Sequence, residues 1–304
     1  MVEMVEYDEF GLFHENAAEY GIPYDGPPSV RREQVDFDDG RHLSALVWGD
    51  AQPELVFFHG GAQNAHTWDT VALALGRPLV CIDLPGHGHS GPPADATTDT
   101  NRNAEDLAQA VRTLAPDAAA VIGMSLGGLT GLALADHAPD LVRKLVLVDV
   151  TPGVDEKKTE QITAFVNGPE SFPSFEELLK RTIEFNPTRT VESLRRGILH
   201  NAEQRPDGGW VWRYARFRGT EANGFPQFSR LWDIISELSV PLMLVRGMRE
   251  QSVVDDADEA ELLARCPSAR VEHVAEAGHS VQGDTPIELA ALIEDFVFGP
   301  AARD

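Results

Sequence analysis

The residues Gly123-Met124-Ser125-Leu126-Gly127-Gly128 join a short apolar run at 119–122 to a helix-patterned stretch at 126–138. This is a Gly-x-Ser-x-Gly turn in a strand–turn–helix setting. Such a turn holds its serine in a strained backbone conformation with the hydroxyl standing above the sheet, ready for nucleophilic attack. The glycines two before and two after the serine remove side chains that would clash in so sharp a bend. A glycine-rich helix start would show the same letters, so the weight of the motif comes from its company. Phe57-Phe58-His59-Gly60-Gly61-Ala62 ends an earlier apolar run, where flexible backbone can turn N–H groups toward a developing oxyanion. Asp83-Leu84-Pro85-Gly86-His87-Gly88-His89-Ser90 ends the next run as a tight glycine turn, and Ala277-Gly278-His279-Ser280 lies between the last strand pattern and the last helix pattern.

These residues need elements to hold them. Short runs rich in Val, Ile and Leu at 34–37, 43–48, 55–58, 79–83, 119–122, 144–150, 241–246 and 270–274 read as strands, most of them buried on both faces. Helical patterns at 66–75, 102–114, 126–137, 256–265 and 286–298 fall between most of them. That alternation predicts an α/β protein: a mostly parallel, eight-stranded sheet with helices on both faces. It opens with an antiparallel hairpin over Asp39-Gly40. The rhythm breaks over 151–238, which reads as helices at 156–165, 175–185, 191–200 and 228–236, with a Pro206-Asp207-Gly208-Gly209 turn before a Trp-rich segment at 209–214. No strand of the main sheet is expected there. The chain thus divides into an N-terminal extension (1–31, with a helical pattern at 7–20), a core (32–150 and 239–304) and a mainly helical cap (151–238).

The four motifs, in this order and each at the C-terminal end of a strand, closely resemble the α/β-hydrolase family, and the likeness spans about 32 to 298. The resemblance implies the α/β-hydrolase fold and a Ser–His–acid triad. A serine hydroxyl is a poor nucleophile until an imidazole takes its proton, and that imidazole needs a carboxylate to fix its tautomer. Ser125 maps onto the nucleophile, His279 onto the base, and the backbone N–H groups of Gly61 and Leu126 onto the oxyanion hole. The acid is left between two residues. The family's usual place, three residues beyond the glycine that closes the strand at 241–246, holds Glu250 rather than Asp; Asp149 stands at the end of the preceding strand, where some members carry the acid.

The remaining histidines have plainer readings: His59 as loop support, His87 and His89 as parts of a structural turn rather than metal ligands, and His66, His137 and His273 as surface residues. In the cap, Trp210 and Trp212 alternate, so if the segment is extended both rings face one side. With Phe185 and Phe217 they either roof an apolar substrate pocket or pack the cap onto itself. Arg213, Arg216 and Arg218 either meet a substrate carboxylate or pair with neighbours.

Composition narrows the function. The 304 residues carry 25 basic and 49 acidic side chains, a net charge of −24, which repels phosphate backbones and anionic headgroups and excludes nucleic-acid or membrane-surface binding as the main role. No run approaches the ~18 apolar residues of a membrane span, and the first 30 residues lack the basic start and apolar stretch of a secretory signal. Cys81 and Cys266 make neither a disulfide framework nor a zinc site. The expectation is a cytoplasmic serine hydrolase of a small-molecule ester, lactone or thioester, acting through an acyl-enzyme with no cofactor and no metal, its homo-oligomeric state left open. Two other readings compete: a carbon–carbon bond hydrolase of ring-cleavage type, which uses much the same residues, and a non-catalytic ligand-binding member of the fold. Ser125 stands where haloalkane dehalogenases and epoxide hydrolases have Asp, which argues against both.

Overall fold

A computed structural model of the chain describes residues 4–94, 99–187, 189–214 and 228–299. Among them eleven strands run in chain order: β1 (Val30–Asp36), β2 (His42–Trp48), β3 (Leu55–Phe58), β4 (Leu79–Ile82), β5 (Ala120–Met124), β6 (Leu145–Val148), β7 (Ser171–Phe172), β8 (Ala202–Gln204), β9 (Trp210–Trp212), β10 (Leu242–Gly247) and β11 (Arg270–Val274). Eight form one sheet in the order β1-β2-β4-β3-β5-β6-β10-β11. β2 runs antiparallel to both β1 and β4, and every other neighbouring pair is parallel.

The central strands read as unbroken apolar runs because both faces are covered. In β3, Leu55 and Phe57 join Trp68, Val71, Leu289 and Ile293 on one side. Val56 and Phe58 join Leu107, Val111, Leu129 and Leu132 on the other. Alternate side chains leave a strand from opposite faces, so two helical layers are needed to bury them. Helices Thr100–Leu114 and Leu126–His137 supply one layer, and Asp69–Leu75 and Pro286–Phe298 the other.

β1 begins four residues earlier than the expected 34. It is an edge strand paired with β2 from Val30↔Trp48 to Asp36↔His42. Charges such as Arg31 and Glu33 are tolerated on an edge and hide it from hydrophobic patterning.

Among its described residues the segment 151–238 adds no strand to the large sheet, but it is not helical alone. β7, β9 and β8 form a small antiparallel sheet in that order. The turn between β8 and β9 is closed by Arg205 N–H to Gly209 O at 2.7 Å, with Gly208 at φ 91°. Strands of two or three residues carry too little alternation to be read in advance. This small sheet and helices Phe175–Phe185 and Val191–Asn201 enclose their own core of Phe172, Leu178, Ile198, Leu199 and Trp210. Helix Arg230–Glu237 instead buries Leu231, Ile234 and Ile235 against the large sheet's cluster.

The N-terminal helix is Phe13–Tyr20, shorter than the expected 7–20, and Gly21 ends it at φ 66°. One side of it grips the core: the Phe13 ring centroid lies 4.9 Å from that of Trp48, and Asn16 Nδ2 donates to Thr70 Oγ1 at 2.9 Å. The carboxylates of Glu15 and Glu19, four residues apart and so on one face, pair with Arg195 and Arg196 of helix Val191–Asn201. Ahead of the helix, Val5 N–H donates to Gln204 Oε1 at 2.7 Å, and Tyr7 OH lies 2.7 Å from His200 Nδ1. Residues 5–20 thus bridge the core and the 151–238 segment. Among the described residues no helix is long and apolar enough to cross a membrane.

Candidate active site

Sheet register sets the site. Met124 pairs with Val148, Val148 with Val245, and Gly247 with Val274. Ser125, Asp149 and the segments after β10 and β11 therefore leave the same edge of the sheet side by side. Two cross-strand bonds carry the ladder into the turns: Ser125 N–H to Val148 O at 3.3 Å, and Asp149 N–H to Val245 O at 2.8 Å.

Ser125 has φ 52° and ψ −121°, a conformation that L-residues adopt only under constraint. The constraint is close packing of backbone. A Cβ on Gly123 would lie 2.4 Å from Gly127 O, and a Cβ on Gly127 would lie 2.4 Å from Phe58 O and 2.6 Å from His59 O. Helix Leu126–His137 thus starts directly against the end of β3. Gly127→Val should cost soluble protein or activity, because backbone of β3 would have to yield. Expression yield and thermal melting check this, and a fully stable, fully active variant would mean that the turn is built differently.

Asp149 is fully buried, with φ 47°. Its carboxylate is surrounded by donors. Oδ1 accepts from Gly247 N–H at 2.9 Å and from Ser252 Oγ–H at 2.6 Å, and Oδ2 accepts from Val253 N–H at 3.1 Å. Oδ2 also lies 2.9 Å from His279 Nδ1. These bonds offset the cost of burying the carboxylate, and they leave His279 Nε2 as the nitrogen free to act elsewhere. Glu250 is exposed, and among the described residues it makes no hydrogen bond or ion pair.

The glycine loop after β3 lies against Ser125: a Cβ on Gly60 would come within 3.3 Å of Ser125 Cβ. His59 Nε2 accepts from Leu84 N–H at 2.9 Å, which leaves the ring proton on Nδ1, 2.7 Å from Gly60 O. Burial pushes His59 down to about 3, so the ring stays neutral in this brace. His87 Nε2 accepts from Ala62 N–H at 3.1 Å, its Nδ1 lies 3.0 Å from Pro85 O, and burial lowers this imidazole too. Both rings support backbone, in keeping with their expected structural roles. Asp83 receives Ala65 N–H, His89 N–H and Arg32.

His66 is not a surface residue. It is buried, and its ring stacks on His200 at 3.8 Å between centroids and 12° between planes. Its Nδ1 lies 2.9 Å from Asp69 Oδ2 and its Nε2 lies 3.1 Å from Glu9 Oε1. Burial opposes the charged ring, but the carboxylates of Asp69 and Glu9 outweigh it and hold His66 at about 9. His200 is pushed well down by burial and by the charge of His66. One nitrogen of each ring and an Asp69 oxygen lie within 4.8 Å of one another, a grouping that could be taken for metal ligands. The rings are nearly parallel, so their in-plane lone pairs do not converge on one point. An imidazolium between two carboxylates accounts for the cluster better. His137 and His273 are exposed, as expected.

The aromatic residues of the 151–238 segment divide. Trp210 is 4% exposed inside that segment's own core, its ring against Phe175. Trp212 stacks on Tyr214 at 5.5 Å, meets Phe165 edge-on at 5.7 Å, and borders the cluster that includes Ala62 of the glycine loop. Phe185 packs on Phe165. Arg213 pairs with Glu203 at 3.0 Å. Arg216, Phe217 and Arg218 lie outside the described residues.

Three residues escaped the sequence reading: Ser252, which donates to Asp149; Gln63, whose Oε1 accepts Gly60 N–H; and Asn201, whose amide reaches the glycine loop from helix Val191–Asn201. None sits in a motif. Only the position of Asn201, one residue past the helix expected at 191–200, hints at it.

The family model described as alpha/beta hydrolase fold matches residues 53–286. The chain belongs to this family. Across the hydrolase fold it is 46% identical to esterase Rv0045c of Mycobacterium tuberculosis over 299 residues, covering 96% of each chain. A solved structure of that esterase matches with a TM-score of 0.85 at 44% identity, covering 97% of this chain and 100% of the other. The 3-hydroxybutyrate-oligomer hydrolase of Cupriavidus necator is 30% identical over 275 residues, covering 84% of this chain and 94% of the relative.

Proposed function

We propose that the protein is a serine hydrolase that cleaves a carboxylic ester, lactone or thioester of a small to medium molecule through an acyl-enzyme. The carrying observation is the 2.9 Å contact between His279 Nδ1 and the buried Asp149 carboxylate, at the strand end beside the strained Ser125. The names of the relatives, an esterase and a 3-hydroxybutyrate-oligomer hydrolase, support a hydrolase reading.

In this reading Asp149 keeps a proton on His279 Nδ1, so Nε2 is the basic nitrogen. His279 Nε2 takes the Ser125 hydroxyl proton as Oγ attacks the substrate carbonyl, and the carbonyl oxygen becomes an oxyanion. The N–H groups of Gly61 and Leu126 receive that charge; among the described residues neither donates to a protein acceptor. Each such donor contributes ~3 kcal/mol to the transition state. The imidazolium then protonates the leaving oxygen or sulfur, and water repeats the sequence on the acyl-enzyme to release the acid. The segment 151–238 acts as the cap, with Trp212 as a wall of the acyl pocket and Trp210 as packing within the cap.

The test is covalent. A fluorophosphonate should leave its adduct on Ser125, found by peptide mass, and nitrophenyl esters should turn over. An adduct on another serine, or turnover of a ring-fission dienoate with none of esters, would remove the proposal. Substrate choice has its own test. Trp212→Ala should lower kcat/KM about tenfold on a medium-chain ester, as expected when a large ring leaves an apolar pocket, and change acetate hydrolysis far less. Equal losses on both esters would return Trp212 to a packing role.

A further inference from the structure

We propose that Asn201 is a positioning residue: from the end of a cap helix it holds the glycine loop in the shape that presents Gly61 N–H to the oxyanion, so that the loop depends on the seating of the cap. The inference rests on the serine-hydrolase reading above and goes beyond it by assigning a residue outside the triad and its motifs.

The loop's hydrogen bonds carry the case. The peptide joining Gly60 to Gly61 bears the Gly60 carbonyl on one side and the Gly61 N–H on the other. Gly60 O accepts from Gln63 N–H at 3.2 Å and lies 2.7 Å from His59 Nδ1. In a trans peptide the N–H points opposite the carbonyl, so these bonds aim Gly61 N–H away from the brace. That aim holds only if the next residue stays put. Ala62 sits at φ 60°, a left-handed conformation that costs a non-glycine residue about 1 kcal/mol. Both of its peptide groups are clamped: the N–H by His87 Nε2 at 3.1 Å, and the C=O by Asn201 Nδ2 at 2.7 Å.

His87 belongs to the core, but Asn201 is the last residue of helix Val191–Asn201. The other end of its amide is also engaged: Asn201 Oδ1 accepts from Asn64 Nδ2 at 3.1 Å, and the same Asn64 Nδ2 donates to His200 O at 3.0 Å. Asn64 Oδ1 accepts from His66 N–H at 2.9 Å, which fixes which way the Asn64 amide faces and therefore which way that of Asn201 faces. The helix is in turn held by the N-terminal helix, through Arg196 to Glu15 and Glu19. The left-handed residue next to the oxyanion donor thus has one clamp on the core and one on the cap. Loss of the cap clamp frees Ala62 to relax, which swings the Gly60–Gly61 peptide and weakens a bond made in the transition state rather than to the substrate.

The experiment uses the full-length protein. Asn201→Ala should lower kcat on a nitrophenyl acetate by about tenfold or more, the size expected when one oxyanion donor is misaligned, with KM within about twofold. Inhibition by a trifluoromethyl ketone, which binds as the oxyanion adduct, should weaken in parallel, while the unfluorinated ketone should bind as before. The isosteric Asn201→Asp, which removes the donor to Ala62 O but keeps an acceptor for Asn64, should give the same split and carries the test should the alanine variant fold poorly. Unchanged kcat in a folded variant, or kcat, ketone affinity and melting temperature all falling together in Asn201→Asp, would overturn the proposal. Ser125→Ala, run alongside, separates the two levels: if it retains turnover, the hydrolase reading itself fails, and if it is dead while Asn201→Asp is unimpaired, only the role of Asn201 falls.

Discussion

Ser125→Ala should lose about four to six orders of magnitude in ester turnover, the range found when a triad serine is removed, and should melt at the temperature of the parent protein. The argument for the large effect is chemical: without the hydroxyl no acyl-enzyme forms, and only backbone donors and binding remain to assist water. The argument for unchanged stability is structural. The conformation of residue 125 is set by the contacts of Gly123 and Gly127 with neighbouring backbone and by the bond from its own N–H to Val148 O. Its side chain has no part in either. Stopped assays with nitrophenyl esters, together with thermal melting, check both halves. Retained turnover would refute the acyl-enzyme reading.

The second large effect belongs to Asp149→Asn, which should lower kcat by about four orders of magnitude, as expected when the carboxylate that sets the imidazole tautomer becomes an amide. An amide turns an NH2 toward groups that are themselves donors. His279 Nδ1 then has to accept rather than donate, which puts the ring proton on Nε2, where the base is needed bare. Gly247, Ser252 and Val253 also donate to this carboxylate, so the variant should lose about 1–3 kcal/mol of stability as well. Glu250→Gln, on an exposed side chain, should stay within about twofold of the parent, since surface changes away from partners rarely matter. Steady-state kinetics and denaturant melts on both variants decide between the two acids. A large loss in Glu250→Gln with little in Asp149→Asn would transfer the role.

The two candidate acids show where sequence reading reaches its limit. Ser125 and His279 sit in local motifs, a turn between a strand and a helix and a glycine-flanked loop, so their neighbours in the chain announce them. The acid is fixed by neighbours in space. Asp149 meets His279 because β6 lies beside β10 and β10 beside β11, and those pairings are not written at either residue. Long apolar patterns such as Leu126–His137, Asp256–Arg265 and Pro286–Phe298 were legible to the residue. The start of the charged edge strand β1 and the whole of the two-residue β7 were not, since one lacks an apolar face and the other lacks length. His66 reads as a surface residue from its helix turn alone; what buries it includes Glu9, 57 residues earlier. Asn201 is hidden for the same reason, because its partner Ala62 O lies 139 residues away.

The bridging N-terminal segment also imposes an order on biosynthesis. Its apolar and amide contacts, Phe13 on Trp48 and Asn16 on Thr70, reach residues made soon after it. Its contacts with Arg196, Arg195, His200 and Gln204 close loops of 177 to 199 residues. Closing a longer loop costs more chain entropy, though the cost rises slowly with length, and contacts so distant along the chain come late in folding. The acidic side of the first helix must therefore wait in solvent, docked by its other side alone, until two-thirds of the chain has left the ribosome. A charged surface suits that interval, because it stays soluble and offers no apolar stripe to other nascent chains.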